Sequence, residues 1–167
     1  ETYFKKLKMP QAAKTYEALA REATENNLGY EEYLLGVLEQ EIRQRENNRI
    51  QRGIRQAGFP VIKTLETFDF KAIPSLNKPK VLKLMQCEYI HKKENVLLVG
   101  NSGVGKTHIA IALGYEACRQ GMKVKFYTAA GLINELLSAQ QEYRLNKLQK
   151  QWLAPHLVIL DELGYVP

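Results

Sequence analysis

Two clusters of residues have the types and spacing to do chemistry. The first, Gly100-Asn101-Ser102-Gly103-Val104-Gly105-Lys106-Thr107, matches the P-loop pattern G-x-x-x-x-G-K-[ST] and stands between an apolar run and a helical one. In that context the glycines let the backbone turn tightly enough to aim successive N–H groups at phosphate oxygens, and the N-terminus of the following helix adds its dipole. Lys106 is expected to reach the β- and γ-phosphates of ATP, and Thr107 to place its hydroxyl on Mg²⁺, which keeps most of its ligands as water and phosphate oxygens. A glycine-rich turn with no ligand would leave the Lys106 charge aimed into a concave turn without a partner. The second cluster is Asp161-Glu162, two carboxylates behind the apolar run Leu157-Val158-Ile159-Leu160. Such a pair stands at the C-terminal end of a buried strand, where open α/β sheets bind ligands. Asp161 is expected to hold Mg²⁺ through water, and Glu162 to orient and polarise an attacking water. Glu162 and Lys106 are the expected catalytic residues. An acidic pair could also cap a turn, but the upstream P-loop favours the hydrolytic reading.

Other residues have more ordinary explanations beside the chemical ones. His108 follows Thr107 and is counted with the phosphate-binding stretch, facing either a nucleotide or the packing of its own first helical turn. His91 and His156 lack partners at metal-ligand spacing, and Trp152 reads as a packed residue of an amphipathic helix. Phe68 and Phe70 read first as core and second as adenine contacts. Cys87 and Cys118 fall outside any C-x-x-C spacing and sit among apolar neighbours, which predicts reduced core thiols and suits a reducing cytoplasm.

The elements that must position these residues change character along the chain. Residues 1–60 read as helices: 3–9, then 11–25 behind Pro10, a break at Asn26, Asn27 and Gly29, and a long helix over 30–56. Glu31 and Glu32 lie in the first turn of that helix, and Leu34, Val37, Leu38 and Ile42 form its apolar stripe. Residues 61–80 are poorly periodic and read as a linker packed on the edge of the next domain. Residues 81–91 predict a helix with Leu82, Met85 and Tyr89 inward. The rest alternates: strands at 96–99, 124–127 and 157–160, and helices at 106–119, 130–140 and 143–153. That is the pattern of an α/β doubly wound parallel sheet preceded by a small all-α region. Its divisions are 1–60, 61–80 and 81–167.

The formal charge of +6 and pI near 9.2 suit a polyanionic partner, although solvated helices also carry such charge. Two helix faces concentrate it. Arg45, Arg49 and Arg52 recur at i, i+4 and i+7 with Arg55 beyond, and Arg144, Lys147 and Lys150 recur at i, i+3 and i+6 opposite Leu145 and Leu148. Each face is a candidate for tracking the phosphates of DNA or for plain solvation. No apolar stretch approaches a membrane span, and the first residues, Glu-Thr-Tyr-Phe-Lys-Lys, are unlike a signal peptide. The start without Met and the end just past a buried strand predict a piece of a longer polypeptide.

The stretches Gly-Asn-Ser-Gly-Val-Gly-Lys-Thr-His (100–108) and Leu-Val-Ile-Leu-Asp-Glu-Leu-Gly-Tyr-Val-Pro (157–167) resemble the IstB-like ATP-binding proteins. The likeness extends to Thr-Leu-Glu-Thr-Phe-Asp-Phe (64–70), Pro-Ser-Leu-Asn (74–77) and Gly-Tyr-Glu-Glu-Tyr (29–33), and so covers essentially the whole chain. The P-loop is generic; the tail and the segment before the ATP-binding region are the specific parts. These proteins are AAA+ helpers encoded beside a transposase in insertion sequences, related to the helicase loader DnaC and the initiator DnaA. The resemblance implies an AAA+ sheet and an ATPase that forms a homo-oligomer on duplex DNA, bends it and assists a cognate transposase. The N-terminal helices would embrace DNA or a neighbouring subunit. It also identifies the basic helix at 143–152 with the extra helix of the initiator and loader clade, a DNA contact. Family members continue past residue 167 with two more strands, a sensor residue, an arginine finger and a helical lid. One of those strands lies between the strands at 96 and 157, so this stretch by itself is expected to be a poor ATPase. A DnaC-type replicative helicase loader is the nearest rival, distinguished by a bound helicase. A P-loop kinase for a small molecule is disfavoured by the Asp161-Glu162 pair. A nucleotide switch that binds without turnover would be indifferent to Glu162→Gln.

Overall fold

The structure is a computed structural model that describes residues 2–165; Glu1, Val166 and Pro167 lie outside the described residues, and with them the last two positions of the 157–167 signature. Contacts divide the chain into two compact units, residues 1–49 and 50–167. The division falls inside a long helix.

The first unit holds α1 (Thr2–Lys6), α2 (Pro10–Glu25) and most of α3 (Tyr30–Ala57). Proline is tolerated at the start of α2 because its missing N–H would have no intrahelical acceptor there. Met9 at the N-cap offers no side-chain acceptor, and the first-turn amides are satisfied from a distance. Glu41 of α3 accepts hydrogen bonds from the backbone N–H groups of Gln11 (2.8 Å) and Ala12 (3.0 Å), while its other oxygen accepts from Arg45 Nε (2.8 Å). Only 4% of Glu41 is exposed. Burial by itself would raise its pKa; the Ala12 amide, Arg45 and the Gln11 amide outweigh burial and hold the carboxyl below its usual 4.5.

The apolar stripe expected on α3 is buried only in part: Val37 is covered, whereas Leu34, Leu38 and Ile42 are exposed. The covered face runs instead through Tyr33, Val37, Gln40, Glu41 and Gln44, and Tyr33 donates its hydroxyl to the Tyr16 carbonyl of α2. The row 34, 38, 42 lies beside that face, about a quarter turn away.

The second unit starts with the last turns of α3. Ile50, Ile54 and Ala57 pack with Cys87, Ile111, Ala117, Cys118, Val124, Phe126 and Ile159 in the main core. Next along the chain are 3₁₀ turns at Leu65–Thr67 and Phe70–Ala72, α4 (Lys78–Leu84), α5 (Glu88–His91), α6 (Lys106–Arg119), β1 (Val124–Thr128), α7 (Ala129–Gln141), α8 (Leu145–Trp152) and β2 (Leu157–Asp161). β1 and β2 are parallel, in register from Val124 with Leu157 to Thr128 with Asp161. The aperiodic stretch read as a linker contributes Leu65, Phe68, Phe70 and Leu76 to a second cluster around Val81, Ile109 and Leu113.

Three expected elements come out differently. The helix expected over 81–91 is two: α4 stops at Leu84, and Cys87, in the left-handed region at φ 59°, breaks the path before α5. Val81 and Tyr89 are buried, and Leu82 points outward. The helix expected from 143 starts at Leu145, because Tyr143 is left-handed at φ 54°. The strand expected at 96–99 does not form: the described sheet has two strands, and Leu97 and Val99 are 81% and 92% exposed. An apolar run becomes a parallel strand only when a neighbour takes its backbone bonds, and β1 and β2 pair with each other.

Candidate functional site

The P-loop turns as its sequence requires. Gly103 and Gly105 adopt φ of 78° and 79°, the left-handed region where a Cβ is penalised, and Gly105 is the N-cap from which α6 departs. Lys106 folds back over this turn, donating from Nζ to the carbonyls of Gly100 (2.8 Å) and Asn101 (2.6 Å). The lysine charge therefore stands at the loop whose amides would face phosphate.

One contact joins the two clusters. Thr107 Oγ1 donates to Asp161 Oδ2 at 2.8 Å across 54 positions of sequence. Two hard oxygens, one from the first turn of α6 and one from the last residue of β2, thus meet beside the P-loop. That pair fits a Mg²⁺ ion bound by few protein oxygens and by phosphate and water, and no group of three or more His, Cys, Asp or Glu able to hold a metal occurs among the described residues. Glu162, exposed and next in sequence, is left-handed at φ 60°. A non-glycine residue held there costs of order 1 kcal/mol, and such outliers cluster at functional sites.

Behind the loop, His108 Nε2 lies 2.8 Å from the Thr64 carbonyl and 3.3 Å from Thr67 Oγ1, and its ring meets Phe68 edge to face at 5.1 Å. A carbonyl can only accept, so Nε2 carries the hydrogen. A Cβ built on Gly105 would stand 2.7 Å from the Phe68 ring. His108 and Phe68 thus pack together behind the loop. Sequence reading did not pick out Thr64 and Thr67, because nothing in an aperiodic stretch signals which carbonyl a distant histidine will meet.

The basic candidates differ in what engages them. Arg45 is engaged by Glu41 and by the Lys8 carbonyl in the first unit. Arg49, Arg52 and Arg55 are exposed, and Lys150 is exposed on α8. Arg144 pairs with Glu142. With Lys147 it lines a small pocket of about 130 Å³ shared with Glu135, Ala139 and Leu148. Away from the site, His156 Nδ1 accepts from the Lys123 amide (2.9 Å), and Trp152 packs edge to face on Tyr127. Cys87 and Cys118 are buried free thiols, as expected. Among the described residues no helix is long and apolar enough to cross a membrane.

The sequence profile of the IstB-like ATP binding proteins matches residues 2–167. The chain belongs to that family. It is 39% identical over 164 residues to an insertion-sequence IS5376 protein of Geobacillus stearothermophilus named for ATP binding, covering 98% of this chain and 65% of that protein. It is 38% identical to the corresponding IS21 protein of Pseudomonas aeruginosa, over 100% of this chain and 63% of the relative. An IS232 protein of Bacillus thuringiensis is 33% identical over 96% of this chain and 64% of its own length. The IstB-like chain thus spans just under two thirds of these relatives, and the likeness includes its N-terminal helices.

Proposed function

We propose that this IstB-like chain is the nucleotide-binding part of an ATP-hydrolysing helper of DNA transposition, which assembles as a homo-oligomer on duplex DNA and assists a transposase. The observation that carries the ATPase reading is the Thr107–Asp161 contact at 2.8 Å beside a complete P-loop. The insertion-sequence names of the relatives favour a transposition role over a replicative helicase loader. In this reading residues 100–108 cradle the triphosphate and Lys106 bears on its β- and γ-oxygens. Thr107 and Asp161 would hold Mg²⁺, which when bound neutralises phosphate charge. Glu162 orients the attacking water. The sheet is of AAA+ type. Residues 1–60 serve DNA or partner binding, 61–80 connect, and 81–167 bind ATP. Arg45, Arg49, Arg52 and Arg55, with Arg144, Lys147 and Lys150, are the proposed phosphate contacts.

The test is to follow ATP turnover and DNA binding together in the full-length protein, at rising protein concentration, with and without duplex DNA. A cooperative protein–DNA complex that needs ATP supports the helper reading. ATP binding with DNA ignored and a helicase captured instead would replace it with the loader. Glu162→Gln should lower turnover by at least about tenfold while ATP still binds; unchanged turnover would point to a switch.

A further inference from the structure

The P-loop has a second wall that its sequence motif does not describe. Residues 64–70 pass behind the turn and are fixed there twice: by the hydrogen bond from His108 Nε2 to the Thr64 carbonyl, and by the Phe68 ring, whose edge lies 2.7 Å from where a Gly105 Cβ would be. Thr67 ties the strap to itself by donating to the Thr64 carbonyl (2.9 Å). Phe70 supports Phe68 edge to face at 4.9 Å, and both rings pack on the cluster of Val81, Ile109 and Leu113, two of which belong to α6. The strap therefore touches the turn at Gly105, the residue whose left-handed backbone sets how the amides before α6 are aimed. His108, one residue after the Mg²⁺ candidate Thr107, grips it from the helix side.

We propose that His108 and Phe68 are positioning residues for the phosphate cradle: together they clamp the strap against Gly105 and hold the P-loop in its binding shape. This rests on the reading of the loop as an ATP site. The clamp acts on loop geometry, so it should matter for the phosphates of a ligand and be indifferent to its nucleoside.

The experiment compares calorimetric binding of Mg²⁺-ATP and of Mg²⁺-tripolyphosphate to the full-length protein. His108→Ala and Phe68→Ala are each expected to weaken both ligands by the same factor, about tenfold, the scale of one lost hydrogen bond and a loosened contact. His108→Gln, whose amide can donate to the Thr64 carbonyl, should recover to within about twofold. Ile54→Ala, which cuts the other core cluster, should lower stability and leave both affinities within about twofold. Loss for ATP with tripolyphosphate unchanged would overturn the proposal in favour of direct nucleoside contact. Unchanged affinity for both in His108→Ala and Phe68→Ala, or equal loss in Ile54→Ala, would also overturn it. A wild-type protein that binds neither ligand would instead reject the ATP reading itself.

Discussion

Gly114→Ala sets two effects of opposite sign against each other. In a helix interior alanine is favoured over glycine by about 1 kcal/mol, and α6 would gain that if the site were open. It is not open. A Cβ at Gly114 would stand 2.6 Å from Ile159 Cδ1 of β2 and 3.0 Å from Cε1 and Cζ of Phe59. Ile159 Cδ1 is the end of a flexible side chain and can turn away, but Phe59 is a ring stacked edge to face on Phe126 at 6.3 Å and must shift bodily. Overpacking of this kind costs roughly 1–3 kcal/mol, so the net effect is a loss of up to about 2 kcal/mol. The site should feel it as well. α6 carries Thr107 and β2 carries Asp161, so lifting the helix off the strand lengthens the contact that links the two clusters. Gly53→Ala is the control in the same unit: its Cβ would lie 4.0 Å from Cys118 Cβ, an ordinary contact, and the variant should gain about 0.5–1 kcal/mol. Urea unfolding followed by Trp152 fluorescence measures both, with ATP affinity in Mg²⁺ measured beside it. A Gly114→Ala variant as stable as the parent, with unchanged ATP affinity, would refute the argument that this close approach sets the site.

Other consequences are open to direct measurement. Glu41→Ala removes the acceptor of two backbone amides at the start of α2 and should cost about 2 kcal/mol in denaturant-monitored helicity. Because the native carboxyl sits below 4.5, its stabilisation is present above that pH and is lost as pH falls through the lower native value; circular dichroism of Glu41→Gln should show a flatter acid limb than the parent. Burial raises the Cys87 and Cys118 thiols to about 11, with Glu116 adding to the effect at Cys87, so a disulfide-exchange reagent at neutral pH should label the native protein about a hundredfold or more slower than the unfolded one. Arg55→Ala and Lys147→Ala should each weaken duplex binding equally across sequences and reduce the salt slope by about one; a sharp consensus surviving high salt would contradict phosphate tracking.

How far the sequence speaks for the structure depends on the range of each interaction. The P-loop and the pair at the end of β2 are legible because the backbone demands are local: glycine where φ is positive, a helix start, an apolar run that ends in carboxylates. The extents of α6, β1 and β2 are readable from periodicity for the same reason. The 96–99 run illustrates the limit. Its composition is that of a buried strand, but a strand is a relation between segments, and only Leu98 finds the core, in the cluster with Ile109 and Leu113. The strap at 64–70 is opaque for the opposite reason, since its packing is tertiary and leaves no period. Cys87 breaks an expected helix through a single left-handed residue that carries no glycine to announce it.

The basic residues show why charge pattern alone does not define an interface. Arg45 belongs to the row on α3 by spacing, yet its guanidinium already serves Glu41, and Glu41 serves the start of α2. Removing Arg45 would leave a buried carboxylate short of its cation, so loss of DNA binding in Arg45→Ala could come from a disturbed first unit. Arg144, bonded to Glu142, carries a milder form of the same ambiguity. Lys147 and Lys150 on α8 and Arg55 on α3 report more cleanly on phosphate contact. If those three lower affinity while the Arg45 variant also loses helicity, Arg45 is better understood as architecture than as interface.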